Sequence, residues 1–414
     1  MNVEIITIGD ELLIGQVIDT NSSWMAQKLG EEGFHVVRKT SIGDIESDII
    51  EAVGAAFGRV DLVLTTGGIG PTKDDITKKT LCKIFDSELV KSPEVLANIN
   101  ELFKKNNKVL NELTASQAVV PEKALIIQNR AGTAPAMCFE RNEKVLISMP
   151  GVPFEMKWLM ENEIIPHLKQ RFKRDLFICH RTLHVANYTE SRLAMQLSDF
   201  EEELPDYIKL AYLPAAGLIR LRLTGENADE RLLDEQIDSL FFQLKGILGD
   251  NVVADSDDAI EAVIGKQLRE KRLTFCVAES CTGGNIAHLI TSVAGASDYF
   301  SGGVVVYSNA AKQQILGVSE TTLERFGAVS REVISEMLGG TLARFGSDCA
   351  VAVSGIAGPG GATSDKPVGT VWIGASACGQ SEICLFQFGN NREHNIAKAS
   401  TMALLMLKAL LDKI

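Results

Sequence analysis

The stretch Ala278-Glu279-Ser280-Cys281-Thr282-Gly283-Gly284 follows a strand-like apolar run, Leu273 to Val277, and leads into the helical pattern Ile286, Leu289, Ile290. A buried strand that turns through glycines into an amphipathic helix is the building block of α/β folds. The turn also puts Ser280 at a helix mouth, where backbone N–H groups and the helix terminus favour phosphate or a developing oxyanion. Ser280 is there either a nucleophile or, with Thr282, a cap on the helix, and this stretch alone admits both readings.

Two further runs share the layout. Gly302-Gly303-Val304-Val305-Val306-Tyr307-Ser308-Asn309-Ala310-Ala311-Lys312 is a β-branched strand that ends in polar residues and then a lysine. A serine nucleophile needs a base, and a lysine kept neutral by desolvation and neighbouring positive charge can serve, which makes Lys312 the candidate. Val351-Ala352-Val353-Ser354-Gly355-Ile356-Ala357-Gly358-Pro359-Gly360-Gly361 again sets a buried strand before a glycine-rich loop. Three strand ends that converge on small polar residues describe a site better than three unrelated turns.

The strings AESCTGG at 278–284, YSN at 307–309 with Lys312, GAVS at 327–330, SGIAGPGG at 354–361 and KPVGTVWIG at 366–374 cover nearly the whole last third of the chain. Together they resemble the C-terminal domain of the competence/damage-inducible protein A family, whose single-domain relatives are nicotinamide mononucleotide (NMN) deamidases. The resemblance implies an α/β amidohydrolase domain that converts NMN to nicotinic acid mononucleotide and ammonia, with Ser280 as nucleophile and Lys312 as its base. It further implies that Tyr307 and Thr282 position the reacting groups, that Ser354 and Gly355 line the nucleotide pocket with Gly283, Gly284 and Asn309, and that Arg392 meets the phosphate. Family members often carry a second arginine one helical turn later, where this chain has Ile396. The chemistry suits the substrate on its own terms. An amide carbonyl on a pyridinium ring is electron-poor, so a serine can attack it when donors await the oxyanion, and no cofactor is needed. Arginine suits phosphate through its planar fork of donors, although Arg392 also reads as an ordinary surface charge.

At the other end, Asn2 to Ile8 reads as a strand that opens into Gly9-Asp10-Glu11-Leu12-Leu13-Ile14-Gly15, with Asp19, Thr20 and Asn21 before an amphipathic stretch from Trp24 to Leu29. A buried strand over Asp61 to Thr66 then feeds Gly67-Gly68-Ile69-Gly70-Pro71-Thr72-Lys73-Asp74-Asp75-Ile76-Thr77. Glycines beside paired aspartates fit phosphate plus a divalent metal, since N–H groups cradle oxyanions while carboxylates bind hard cations. Asp74 and Asp75 alternatively serve only to start the next helix. TTGGIGPTKDDIT and IGDELLIG resemble the molybdopterin-binding fold, a three-layer α/β domain. The blocks NRAGTAP at 129–135 and MPGVPFEM at 149–156 favour the first domain of the same competence/damage-inducible family. That resemblance implies a metal-dependent (Mg, Mn or Co) ADP-ribose pyrophosphatase giving AMP and ribose 5-phosphate. It makes Asp75, Asp74, Asp10 and Glu11 the metal candidates, and places Asp44 with Gly67, Gly68, Gly70 and Thr72 on the substrate side. Spacing leaves open which acid holds metal and which orients water. Ala136 stands where the family usually has glycine after Ala134-Pro135.

A chain of 414 residues expects more than one domain. The reading is 1–168 for the molybdopterin-binding-like domain, 169–254 for a small α+β module that resembles the family's KH-like middle domain, and 255–414 for the deamidase domain. In the middle module Phe177 to Val185 reads as a strand, Glu190 to Leu197 as a helix, and Ile208 to Leu213 with Leu218 to Leu223 as a hairpin around Pro214 to Gly217. Glu230 to Leu248 reads as a long amphipathic helix. It has no GXXG loop flanked by basic residues, so a spacer or dimerisation role is expected. Asp255 or Ser256 is positioned to start the helix through Ile260 and Leu268.

A net charge of −13 argues against a general grip on nucleic acid. The absence of a long apolar run or signal pattern implies no membrane and a cytoplasmic location. Eight scattered cysteines without CxxC spacing imply mostly buried reduced thiols, with Cys281 a rival nucleophile that more simply faces the core. The expected partners are small nucleotides, NMN and ADP-ribose, and a second copy in a homodimer. The alternative is a nucleotide-binding regulatory or scaffold protein, linked to competence or DNA damage, in which one or both pockets bind without turnover.

Overall fold

The computed structural model describes residues 1–72, 74–172 and 176–414. Lys73, within the glycine–aspartate run, and residues 173–175, near the start of the expected middle module, lie outside the described residues. The chain divides into two compact units, Met1–Ile178 and Cys179–Ile414.

The first unit contains strands β1 (Asn2–Ile8), β2 (His35–Ile42), β3 (Leu62–Thr66), β4 (Leu89–Lys91), β5 (Val119–Pro121), β6 (Leu125–Ile127), β7 (Ala136–Arg141) and β8 (Lys144–Met149). Six of them form one sheet in the order β2-β1-β3-β8-β7-β6, while β4 and β5 pair separately. The ladders from β2 through β8 are parallel and the last two are antiparallel. β3 is buried at every position, which is why it reads as a continuous apolar run and not an alternating one. Met25, Leu29, Met156 and Leu168 cover one face of the sheet, and Ile49, Val53, Leu81 and Phe85 cover the other. This is the three-layer α/β arrangement expected from the sequence. The helix Thr20–Glu31 begins where Asp19 caps it, its Oδ1 accepting the Ser22 N–H at 2.9 Å.

β9 (Phe177–Val185), all but its first two residues in the second unit, forms a sheet with β10 (Ile208–Ala215), β11 (Leu218–Asn227) and β12 (Val252–Ala254) in the order β10-β11-β9-β12. The helices Glu190–Glu202 and Glu230–Leu248 share a core with the alternate residues Ile219, Leu221 and Leu223 of β11. The hairpin is tighter than expected: pairing runs to Ala215 opposite Leu218, which leaves Ala216 and Gly217 as the turn. Gly217 takes φ +82°, the conformation that the third residue of a type II turn needs and that glycine adopts without strain. Pro214 is accepted inside β10 because that strand is at the sheet edge, where a missing N–H costs no ladder bond.

The rest of this unit holds β13 (Phe275–Glu279), β14 (Phe300–Val305), β15 (Cys349–Gly355), β16 (Thr370–Ala377) and β17 (Gln380–Gln387), in the order β14-β13-β15-β16-β17. β13 runs parallel to both its neighbours, and β16 and β17 return antiparallel. Helices Ile260–Lys271, Asn285–Thr291 and Arg392–Leu411 supply one core; Asn309–Leu316 and Arg331–Phe345 supply the other. Ala186, Leu218 and Ala254 of the middle module belong to the first of these cores. The helix after the polar run starts at Ile260 behind Ala259, and not at Asp255 or Ser256. Ser256 is occupied elsewhere: its hydroxyl accepts the Asp258 N–H at 3.0 Å, and its carbonyl lies 3.0 Å from the His184 ring. All eight cysteines are free, six of them buried, with Cys384 half-buried and Cys378 exposed. Among the described residues no helix is long and apolar enough to cross a membrane.

Candidate active sites

In the carboxyl-terminal domain the parallel strands β14, β13 and β15 end side by side, and each delivers a residue of the expected site. The ladder continues past the strand ends: Ser280 N–H donates to Val353 at 3.0 Å and Val306 N–H donates to Glu279 at 2.8 Å. Ser280 is thereby pinned between its neighbours. From the adjacent helix Asn309–Leu316, started by the Ser308 cap, Lys312 sends its amine inward. Lys312 Nζ lies 3.1 Å from Ser280 Oγ and donates to the Val306 carbonyl at 2.9 Å. The lysine is only 1% exposed and Ser280 is 7% exposed, so the pair meets largely out of solvent. Burial lowers the Lys312 pKa, with the Cys281 thiol opposing. A neutral amine has two N–H groups and a lone pair, so it can hold Val306 with an N–H and receive the serine proton on the lone pair.

Glu279, which the sequence reading passed over, explains what the helix mouth does. Its buried carboxylate accepts the N–H groups of Gly284 (3.0 Å), Ile286 (3.0 Å) and Ala287 (2.9 Å). The anion at this helix terminus is therefore the chain's own side chain. The expectation of a substrate phosphate or oxyanion on those amides is corrected, because the donors of Gly284 and the first turn are taken. The Gly283 N–H is also used, on the Ser280 carbonyl at 3.1 Å. An acidic residue between a buried strand and a glycine-started helix was the available signal.

Thr282 is buried and its Oγ1 has no hydrogen-bond partner among the described residues, which leaves a hydroxyl free for a ligand. Tyr307 is exposed, and its hydroxyl accepts a hydrogen bond from Arg392 Nη2 at 3.0 Å. Arg392 Nη1 donates to Gly358 at 2.7 Å, so the guanidinium ties the β14 end to the glycine-rich loop after β15. Arg392 also stands at the first position of the helix Arg392–Leu411, where the helix dipole adds to its charge. Ser354 spends its hydroxyl on the Ala328 carbonyl at 2.8 Å, and a side chain at Gly355 would collide with Thr370 and Val371 of β16. Those two residues hold the scaffold together. Asn309 is exposed at the start of the lysine's helix. A second residue missed from sequence is buried Asn395, whose Nδ2 bridges the Ala357 and Gly389 carbonyls at 3.0 and 2.8 Å and so anchors both loops beside Arg392.

Cys281 packs in the core, and burial pushes its thiol up to about 12. At neutral pH the thiolate fraction is then on the order of 10⁻⁵, too small for a nucleophile. Cys281→Ala is expected to keep turnover within about threefold of the parent, measured as product release under initial-rate conditions; a loss comparable to that of Ser280→Ala would restore the thiol as a candidate.

In the amino-terminal unit the loops after β1, β2, β3 and β8 meet at the C-terminal end of the sheet. The crossover from β2 to β3 passes β1, so β1 and β3 flank the switch point where α/β sheets open a crevice. A cleft of about 400 Å³ lies there, lined by Glu11, Asp44, Gly67 to Gly70, Asp74, Asp75, Gln117 and Glu155. Gly67 has φ +111° and a side chain there would collide with the Ile8 carbonyl, so close strand approach demands the glycine. Asp75 braces the loop: Oδ1 accepts the Gly70 N–H at 2.7 Å and Oδ2 accepts the Thr72 N–H at 2.8 Å and the Thr72 hydroxyl. Asp10 and Asp44 clasp each other, Asp44 Oδ2 accepting the Asp10 N–H at 3.2 Å and Asp10 Oδ1 accepting the Asp44 N–H at 3.1 Å. Burial raises the Asp44 pKa, and the charges of Asp10, Glu11 and Asp75 push it the same way against the Asp10 backbone hydrogen bond. Lys78 is half-buried three residues after Asp75, in the first turn of the helix Thr77–Ile84, its amine donating to the Val119 carbonyl at 3.0 Å; desolvation lowers its pKa to about 8 against the pull of Asp75.

Among the described residues no group of three or more acids, histidines or cysteines is arranged to hold a metal ion by itself. The crowded carboxylates nonetheless fit a hard cation that brings ligands of its own. Mg²⁺-like ions are commonly held by one or two carboxylates plus substrate phosphate oxygens. Asp75 spends both oxygens on its own loop and Asp10 does not line the cleft, while Asp44 keeps one oxygen free of its bond to Asp10, so Glu11, Asp44 and Asp74 are the side chains for that role.

Comparison with known proteins covers nearly the whole chain. The profile of the CinA C-terminal domain matches residues 257–411, that of the probable molybdopterin binding domain residues 4–170, and that of the damage-inducible protein CinA KH domain residues 180–254. A CinA-like protein of Flavobacterium psychrophilum is 42% identical over 98% of this chain and 98% of its own. A putative competence-damage inducible protein of Caldicellulosiruptor saccharolyticus is 38% identical over 99% of this chain and 98% of its own. Among solved structures, the competence damage-inducible protein A of Klebsiella pneumoniae is 38% identical, covering 37% of this chain and 95% of that one, with a TM-score of 0.36.

Proposed function

The chain belongs to the CinA family of competence/damage-inducible proteins, and on that premise we propose that it is a hydrolase with two sites: an NMN deamidase at Ser280 and Lys312, and an ADP-ribose pyrophosphatase in the amino-terminal cleft. The observation that carries the first activity is the 3.1 Å approach of Lys312 Nζ to Ser280 Oγ, both side chains being buried. Neutral Lys312 takes the hydroxyl proton as Ser280 Oγ adds to the amide carbonyl of NMN. The tetrahedral adduct then expels ammonia, which leaves with the proton from Lys312, and an acyl ester on Ser280 remains. Water, deprotonated by the same amine, cleaves the ester to release nicotinic acid mononucleotide and restore the serine. The pyridinium ring supplies the electron demand that makes the amide attackable. Because Glu279 occupies the helix mouth, the substrate phosphate falls to Arg392, braced on Gly358 and Tyr307. Ammonia release from NMN by the purified protein tests the reading, and no release with NMN in excess sinks it.

The amino-terminal reading rests on a cleft of nucleotide size at the sheet's switch point, with glycines on one side and carboxylates on the other. A divalent cation (Mg, Mn or Co) held by Glu11, Asp44 or Asp74 together with the diphosphate would neutralise charge on the reacting phosphates. The chain's own part is to hold the diphosphate against the Gly67 to Gly70 loop, whose shape Asp75 maintains. Chelation is expected to abolish AMP formation from ADP-ribose, and added Mg²⁺ or Mn²⁺ to restore it. Asp75→Asn puts an amide N–H against one of the donors now bonded and should lower kcat/KM by about 10-fold or more. Chromatographic assay of AMP reads both, and turnover indifferent to chelator removes the cation from the proposal. The cellular form we propose is a cytoplasmic homodimer acting on small nucleotides.

A further inference from the structure

Glu155 lines the amino-terminal cleft but does none of the work assigned so far. It stands in the first turn of the helix Pro153–Leu159, directly after the Pro150-Gly151 loop that follows β8. Its carboxyl group is held from one side by Asn129, whose Nδ2 donates to Glu155 Oε2 at 2.6 Å and to the Ala134 carbonyl at 3.0 Å. Asn129 is itself 1% exposed and fully engaged, its Oδ1 accepting the Ala131 N–H at 3.0 Å and its carbonyl accepting Asn98 Nδ2 at 2.8 Å. The loop wraps the carboxyl so closely that a side chain at Gly132 would overlap it. This is a built site for one carboxyl group.

The contrast with the other acids is chemical. Asp75 has both oxygens bound to its own loop, and Asp10 and Asp44 each hold the other's backbone. Glu155 has a single hydrogen bond among the described residues, on Oε2, which leaves Oε1 unbonded on a residue that lines the cleft. No basic side chain neutralises it through a hydrogen bond or ion pair among the described residues, and the titratable groups that share the cleft are Glu11, Asp44, Asp74 and Asp75. Burial raises its pKa against the Asn129 hydrogen bond. A carboxyl group oriented by a neutral amide, desolvated and left with one free oxygen is placed to move a proton.

Resting on the pyrophosphatase reading, the geometry points to Glu155 as the general base of that site, a catalytic residue that accepts a proton from the attacking water. The water oxygen forms a bond to one phosphorus of the ADP-ribose diphosphate. The P–O bond to the bridging oxygen breaks, its electron pair leaving on the oxygen of the departing phosphate. Glu155 Oε1 takes the proton and returns it to solvent after product release.

The test is steady-state cleavage of ADP-ribose by the full chain with Mg²⁺ present, comparing the parent with Glu155→Gln. The amide is isosteric and keeps an acceptor for Asn129, and circular dichroism checks that the variant is folded. The expected result is a kcat lower by about 10²–10⁴-fold with KM within about threefold, and loss of the acidic limb of the kcat/KM profile. Glu155→Asp, which keeps the carboxyl but retracts it, should fall between the two. A raised KM with unchanged kcat would make Glu155 a binding group for a sugar hydroxyl and overturn the proposal. Parental turnover in Glu155→Gln overturns it as well while leaving the pyrophosphatase reading standing. If the parent itself leaves ADP-ribose intact, the reading fails and takes this inference with it.

Discussion

Ser280→Ala and Lys312→Met should each cut ammonia release from NMN by at least about 10³-fold, because each removes one member of a pair that acts as a unit. The double variant should lose little more than either single one. The two substitutions differ in what they do to the fold. Ser280→Ala deletes a hydroxyl from a pinned backbone. Lys312→Met exchanges a buried amine, which water would solvate better, for an apolar chain of similar length. Its cost is the Val306 carbonyl left without a donor, partly offset by the lost desolvation penalty, so the stability change should stay within about 1 kcal/mol. Denaturant titration and ammonia assay on the same samples separate the effects. Inactivity with wild-type stability supports the dyad; full activity in either variant ends it.

The pH dependence of the parent has a definite sign. The base is the neutral amine, so deamidation should rise as pH climbs through the folded pKa of Lys312, which burial holds below the ordinary 10.5. Stability moves the same way. A lysine with a lowered folded pKa binds its proton less readily in the native than in the unfolded chain. Between the folded pKa and 10.5 the unfolded chain thus carries more protons, and stability increases with pH across that window. Lys312→Met should lack this contribution. A parental rate that falls as pH rises from neutrality, with the enzyme still folded, would contradict a neutral-amine base.

Glu279→Ala is expected to be the most damaging single substitution at this site for stability. It leaves three N–H donors at a buried helix start without their acceptor, a loss on the order of 5 kcal/mol, the low end of three hydrogen bonds to a charged group at about 1.5–3 kcal/mol each. Glu279→Gln is gentler. Its carbonyl oxygen can replace Oε2, which serves Gly284 and Ile286, but its amino group then faces the Ala287 N–H, and a loss of about 1–2 kcal/mol follows. Because Glu279 adjoins Ser280 and ties down the turn that follows it, Glu279→Gln should also lower kcat for deamidation by about 10–100-fold with little change in KM, the cost of a nucleophile misplaced by a fraction of an ångström. Thermal unfolding and kinetics together decide it. A Glu279→Ala variant as stable as the parent would show that the helix start needs no internal anion. A large rise in KM with unchanged kcat would return the helix mouth to the substrate.

Much of the architecture was legible because periodicity reports burial directly. β3, β13 and β15 are buried along nearly all their length and read as unbroken apolar runs, and β11 alternates because only one of its faces meets the helices. The long helix Glu230–Leu248 follows its amphipathic pattern to the residue, and in the fold Asp229 caps it and Gly249 ends it. Positions where tertiary context overrides local signals were harder. Asp255 and Ser256 look like helix starters, yet contacts to Lys245, Asp258 and the His184 ring take up their polar groups, and the helix begins later.

The same division runs through the sites. Which residues could do chemistry was written in residue type and order: a serine after a buried strand, a lysine after the next, aspartates beside glycines. That these groups would belong to α/β sheets, with loops at the strand ends, also followed from the chain alone, since hydrophobic pattern and turn chemistry are local. The fold alone determined who bonds to whom. It gave the helix mouth to Glu279, made Asp75 a brace, and brought Lys312 to Ser280 across a separation of 32 residues in the chain. Hydrogen bonds and desolvation depend on distances of a few ångströms between segments remote in sequence, and such distances exist only once the strands have paired and the core has closed.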